Sequence, residues 1–314
     1  MKNKYLLGFT LVCLTGIVWS FGAPIVRLME DAENYQIPYL FYRGFAICAT
    51  ITLYILLRDR REFFANFKRI DRWAVSGALL LMLSMFGFIY SLTITTVAIT
   101  LLMLALAPLF SAIFGYLLLS EKLSRTTIAN MFIVIFGVVV MVWNVESSNT
   151  IIGALYGMFC AFCFAMYTIT IRHNPETPKL LTPALSGLMG IVVTCVLVLA
   201  SDDLTFTMPA INIKLSVVHG TIVGAGLVLY GLGAKYLPAA ELVLLSLLEV
   251  VVGIFWAWLP IIGINEVPDL NTLIGGLIML SAITIQGLAT RKQHAPVRSE
   301  EHTSELQSYL NLVC

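Results

Sequence analysis

The stretch WAVSGALLLMLSMFGFIYSLTITTVAITLLMLALAPLFSAIFGYLLLS, Trp73 to Ser120, runs for 48 residues between Arg72 and Glu121 without a charged side chain. A helix crosses the hydrocarbon core of a bilayer in about 20 apolar residues, so this run holds two crossings, not one. The polar cluster Ser91, Thr93, Thr95 and Thr96 is where the chain is expected to turn. Backbone exposed to lipid must satisfy its own hydrogen bonds, which makes each crossing a helix.

The same pattern repeats along the chain. Apolar runs at roughly 5–27, 37–57, 73–92, 96–119, 126–144, 149–171, 180–200, 214–234, 239–262 and 271–290 predict an all-α integral membrane protein of about ten transmembrane helices. Composition agrees: 59% of the 314 residues are hydrophobic, 12% are charged, and mean hydropathy is +0.90, whereas soluble domains carry about 25% charged residues. The opening run, uncharged from Tyr5 to Val26, is too long for a signal peptide and lacks a small-residue cleavage site, so it is expected to be the first span.

Loop charge sets the orientation. With ten spans, fifteen Lys and Arg, among them Arg58, Arg60, Arg61, Arg72, Lys122, Arg125, Arg172 and Lys235, fall on one side. Only Arg27 and Lys214 fall on the other, beside Glu30, Glu33, Glu146, Asp202, Glu266 and Asp269. The positive-inside bias then places both termini in the cytoplasm and the chain, multi-pass, in the inner (plasma) membrane. A net charge of +1 suggests no nucleic acid partner.

The two halves answer each other at an offset of 145: Gly8 and Gly153, Trp19 and Phe164, Arg27 and Arg172, Glu121 and Glu266. Five spans per half is an odd number, so the second half is inverted relative to the first. The expected units are 1–145 and 146–292, two inverted five-helix repeats, followed by a polar tail at 293–314. Secondary transporters built in this way hold their substrate near the midplane, between repeats.

Several segments, in order, resemble the EamA-type members of the drug/metabolite transporter superfamily. The first is Gly16-Ile17-Val18-Trp19-Ser20-Phe21-Gly22-Ala23-Pro24, followed by Tyr42-Arg43-Gly44-Phe45 in the second span. Leu106-Ala107-Pro108-Leu109-Phe110 through Glu121-Lys122 is the nearest match, and Leu244-Leu245-Ser246-Leu247-Leu248-Glu249 follows in the second half, with Val250 where the family commonly has proline. The resemblance implies a ten-helix secondary transporter working by alternating access on a metabolite, amino-acid-like compound or drug, often by export. Residues 298–314 instead resemble the translation of a sequencing adapter and carry no weight in the functional reading.

Charges inside spans cost about 2.5–3.5 kcal/mol each on insertion scales, so each one calls for a reason. Arg43 suits a snorkelling side chain, a partner of Glu30 or Glu33, an anion clamp or half of a gate. Glu249 sits mid-span among apolar residues, where a carboxyl either carries a proton during transport or bonds a neighbouring helix. Glu241, about 80° around the same helix, borders the same cavity or pairs with Lys235. His219 suits a proton relay or helix packing. Trp19 and Tyr90 suit cavity walls or interface anchors. Gly153-x-x-x-Gly157 and Gly220-x-x-x-Gly224 permit close helix contact, within the bundle or in a homodimer.

Other classes lack their signatures. The chain has no G-x-x-x-x-G-K-[ST] for an ATP-driven motor and no H-E-x-x-H for a zinc enzyme. The Cys160–Cys163 pair has no second pair to complete a metal site; of the six cysteines, the five in apolar runs read as small hydrophobes, and Cys314 is terminal. No cofactor is expected, and a non-enzymatic protein is the preferred reading. A membrane-embedded enzyme acting on a lipid-linked substrate and a passive channel are the rival readings.

Overall fold

The computed structural model describes residues 2–58, 60–119, 125–143, 148–173, 177–233, 235–236, 245–246 and 248–294. Among them the fold is all-α, with no strand. The helices in chain order are α1 Lys2–Ser20, α2 Gly22–Arg27, α3 Gln36–Arg58, α4 Arg60–Phe67, α5 Arg72–Ile94, α6 Val97–Leu104 and α7 Ala107–Leu119. There follow α8 Arg125–Val142, α9 Ser148–His173, α10 Leu181–Ala200, α11 Ala210–Gly233, α12 Leu248–Trp258 and α13 Leu270–His294.

Seven segments are long and apolar enough to cross a membrane: Lys4–Arg27, Gln36–Arg58, Arg72–Ile94, Val97–Leu118, Asn149–Thr170, Leu181–Ala200 and Ala210–Gly233. Three shorter apolar helices, Ile128–Met141, Leu248–Trp258 and Leu270–Ala282, fall inside the fifth, ninth and tenth expected spans. The turn inside the long uncharged run lies where its polar cluster put it. Asp71 starts α5 by accepting from the Ala74 amide at 2.8 Å, Thr95 ends that helix in extended backbone, and the Thr96 hydroxyl caps α6 by accepting from the Ile99 amide.

The distribution of side chains is the reverse of a water-soluble protein's. Leu57, Leu117, Phe132, Phe136, Leu199 and Leu277 stand exposed on the outside, as a lipid solvent favours. Thr15, Ser84, Ser91, Thr100, Asn212 and Ser216 are buried; Thr15 and Ser216 return a hydrogen bond to a carbonyl one turn back, while Ser84, Ser91 and Asn212 reach across to the carbonyls of Cys160, Gly153 and Glu30. Helices in lipid gain little from apolar burial against one another, so close contact and hydrogen bonds hold the bundle.

Glycine supplies the closest contacts. α3 crosses α10 with Gly44 on Gly187, where a Cβ on either would lie 3.0 or 2.7 Å from the other's carbonyl oxygen. α8 crosses α13 in the same reciprocal way at Gly137 and Gly275, with 2.9 and 2.5 Å. The stripe Gly220-x-x-x-Gly224 faces Arg43, Ala46 and Thr50 of α3, and Gly153-x-x-x-Gly157 faces Thr95 and Met103. Both stripes thus serve packing within the chain.

Candidate functional site

Two helices that the hydropathy treats as single spans are interrupted. The first breaks at Phe21 between α1 and α2, and the fourth at Ala105–Leu106 between α6 and α7. Pro108 explains the second break: it has no amide to donate to the Leu104 carbonyl, four residues back. Leu104, Ala105, Ala107 and Pro108 all line one cavity in the middle of the bundle. Irregular backbone at membrane depth is tolerated where it lines such a space.

The cavity measures about 110 Å³ and its wall is mostly apolar. Both halves of the chain contribute. Trp19, Arg43, Ser84, Phe88 and Pro108 come from the first; Cys160, Phe164, His219, Tyr230 and Glu249 come from the second. At about 10–15 Å³ for each water-sized sphere, the space accepts seven to eleven of them, the scale of a small organic molecule.

Arg43 is 4% exposed, and its Nε has no hydrogen-bond partner. Among the described residues no carboxylate lies within 4.0 Å of its guanidinium, Glu30 and Glu33 included. The backbone of Glu30 is occupied elsewhere: its amide donates to Asn212 Oδ1 at 3.0 Å, and its carbonyl accepts from Asn212 Nδ2 at 2.8 Å. Glu249 lies in the first turn of α12 and faces the same cavity. A cation and a carboxyl therefore share one apolar chamber without forming an ion pair with each other.

His219 is 1% exposed. Its Nδ1 lies 2.9 Å from the Tyr39 hydroxyl, one helical turn before Arg43, and its Nε2 sits against Gly22 at the α1–α2 break. A methyl group on Gly22 would come within 2.8 Å of that nitrogen, so Gly22→Ala is expected to displace the imidazole and weaken whatever the cavity binds. The test is a comparison of thermal stability and ligand affinity with wild type. Trp19 donates from Nε1 to the Val223 carbonyl at 3.3 Å and stacks on Tyr230, centroids 5.8 Å apart.

Tyr90 stands outside this chamber, packed on Tyr156 with centroids 5.4 Å apart. Glu241 and Glu121 lie outside the described residues. The structure thus brings together Trp19, Arg43, His219 and Glu249 and leaves Tyr90 aside. It adds Tyr39, Ser84, Cys160, Phe88 and Phe164, which the sequence reading did not single out for binding. Tyr39 was findable, being four residues before Arg43 and so on the same helix face. Ser84, which donates to the Cys160 carbonyl at 3.0 Å, carries no comparable signal within its apolar run.

Outside the chamber wall, polar contacts join the two halves. Arg27 at the end of α2 pairs with Glu266, Nε to Oε1 2.5 Å, and donates from its Nη2 to the Thr95 carbonyl. The other carboxylate oxygen of Glu266 accepts from the Val97 amide at 2.8 Å, which caps α6. Beside them the Trp256 indole donates to Ser20 Oγ at 3.1 Å and stacks on Phe21. Sequence had marked Arg27 and Glu266 as loop charges on one side and as members of separate repeat pairs, not as partners of each other. Among the described residues no group of three or more His, Cys, Asp or Glu is arranged to hold a metal ion.

An all-α bundle with interrupted helices around an apolar chamber, and with polar side chains turned inward, defines a polytopic membrane protein with an internal binding cavity. Residues 6–143 match the EamA-like transporter family, the same family that the sequence motifs resemble. Two relatives from Helicobacter pylori, strains ATCC 700392 / 26695 and J99 / ATCC 700824, each called "Uncharacterized transporter", are 28% identical over 187 residues. Those alignments cover 56% of this chain and 58% of each relative, so the chain matches little more than half of their length. A protein crystal structure that is 18% identical shares the fold, with a TM-score of 0.63 over 94% of this chain and 100% of that one.

Proposed function

We propose that this protein is a secondary transporter that moves a small organic solute across the inner membrane by alternating access, with export as the direction its family resemblance implies. The observation that carries this reading is the chamber itself. It is lined from both halves and carries Arg43 and Glu249 in an apolar wall; in this reading the Arg27–Glu266 contact between the halves is what closes it at one end. The lining residues Thr168, Val223, Leu227 and Tyr230 extend it toward the opposite end of the bundle, the end from which α1 starts. A chamber shut at one end and reached from the other is one of the two states that alternating access requires.

Two inverted five-helix units, 1–145 and 146–292, account for the packing. α1 packs on α11 as α9 packs on α5, and α1 packs on α12 as α9 packs on α6 and α7. The α3–α10 and α8–α13 crossings each map onto themselves when the halves are exchanged, with glycine on glycine at both. Trp19 and Phe164, equivalent at the offset of 145, both line the chamber. Glu249 supplies the exchangeable proton that couples transport to the proton gradient, and the basic loops put both termini in the cytoplasm.

Comparative profiling of the medium around cells expressing the full chain or an empty vector tests the transport reading. A compound enriched only with the protein is the expected result. No difference for a protein shown to be inserted, in export and uptake assays alike, would sink it.

The Arg27–Glu266 contact acts as the latch of the closed end. Losing a hydrogen bond to a charged group costs about 1.5–3 kcal/mol, an equilibrium shift of roughly 10- to 150-fold. Arg27→Glu alone and Glu266→Arg alone are each expected to lower transport at least tenfold, with the double exchange recovering a substantial part. Equal activity of all four proteins would remove the latch from the mechanism.

A further inference from the structure

We infer that Arg43 is the head-group subsite of this chamber and that the solute is an organic monoanion, a carboxylate on a compact apolar body. The inference rests on the transporter reading and names its substrate class. Arg43 reaches the chamber from α3, about 10 Å along the helix from Gln36. It does not snorkel to the surface, being 4% exposed and part of the chamber wall. Its Nε is buried without a partner, and no described carboxylate comes within 4.0 Å. A guanidinium removed from water and left without an anion is costly. A planar carboxylate matches its donor fork in two parallel bonds, the strongest neutralisation available to it.

The rest of the wall fixes what accompanies that head group. Among the described residues no lysine and no second arginine lines the chamber, so a doubly charged phosphate would find a single guanidinium there, with Glu249 facing it. Trp19, Phe88, Phe164 and Tyr230 offer aromatic surface for an apolar body. The volume of about 110 Å³ suits a compact body. The Tyr39–His219 bond, beside Arg43, holds the imidazole in place and completes the polar patch.

Three probes of equal body and different head decide the matter: 3-phenylpropionate, 3-phenylpropan-1-ol and 3-phenylpropylamine, titrated calorimetrically into the purified full-length protein in detergent. The carboxylate is expected to bind at least tenfold more tightly than the alcohol, with the amine weakest. Arg43→Gln is expected to erase that advantage and Arg43→Lys to keep part of it. The wild-type ranking stands as a test by itself if Arg43→Gln fails to fold. Equal or tighter binding of the alcohol or the amine overturns the inference. So does a carboxylate preference that survives in Arg43→Gln, or a lack of binding by all three. An exported compound without an acid group would remove the subsite and leave the transporter standing. Carboxylate binding without solute flux in proteoliposomes would do the opposite.

Discussion

Glu249→Gln is expected to abolish gradient-driven transport, with a fall of at least tenfold, while exchange of labelled for unlabelled solute across the membrane continues. Among the described residues Glu249 is the only carboxyl in the chamber wall. Glutamine keeps its length and a hydrogen-bonding amide but carries no titratable proton, so binding and rocking survive and coupling does not. His219 is a weaker candidate for that role, because its Nδ1 is engaged by Tyr39 and its Nε2 is packed against Gly22. The measurement is uptake into proteoliposomes of the exported compound under an imposed pH difference, against counterflow without one. Full gradient-driven uptake by the variant would end the proton-coupling idea, and loss of both activities would make Glu249 part of binding instead.

The second large effect is on folding. Gly187→Leu is expected to leave little protein that is monodisperse after extraction, because a Cβ there already lies 2.7 Å from the Gly44 carbonyl oxygen and 3.0 Å from the Cys48 amide. Backbone cannot swing aside as a side chain can, and overpacking typically costs about 1–3 kcal/mol, occasionally more. Gly187→Ala and Gly44→Ala are expected to lower the thermal midpoint by several degrees. Gly190→Ala, one turn along the same helix, is the control: its nearest neighbours, Met82 and Phe86, stand 3.8 Å away. That substitution is expected to be neutral or slightly stabilising. Equal tolerance at 187 and 190 would mean that the crossing is not as tight as it is described.

These expectations divide along what the sequence carries. The helical membrane class was legible because hydropathy is a local quantity summed over a run, and the turn at Thr95–Thr96 announced itself through a polar cluster. Arg43 and Glu249 were legible because charge at membrane depth is rare and costly. Tyr90 was equally conspicuous by residue type, yet it packs on Tyr156 outside the chamber. Which way an aromatic faces depends on helix rotation, and a helix apolar all round does not encode that in its pattern. The Arg27–Glu266 pair was invisible for a different reason: its members are 239 positions apart, and only the fold brings them together. Ser84 and Cys160 share that invisibility, since small polar residues in apolar helices usually bond their own backbone.

The two reciprocal glycine crossings have a mechanical meaning. Gly44–Gly187 and Gly137–Gly275 are points where backbone comes against backbone, with Cys48, Met141 and Met279 packed beside the contact. Helices touching at such a point can pivot about it with little interlocking to shear, as two rods turn about a pin. A line through both pins is an axle, and displacement grows with distance from it. If the halves rock against each other as proposed, spacing at the pins stays constant while displacement grows away from them.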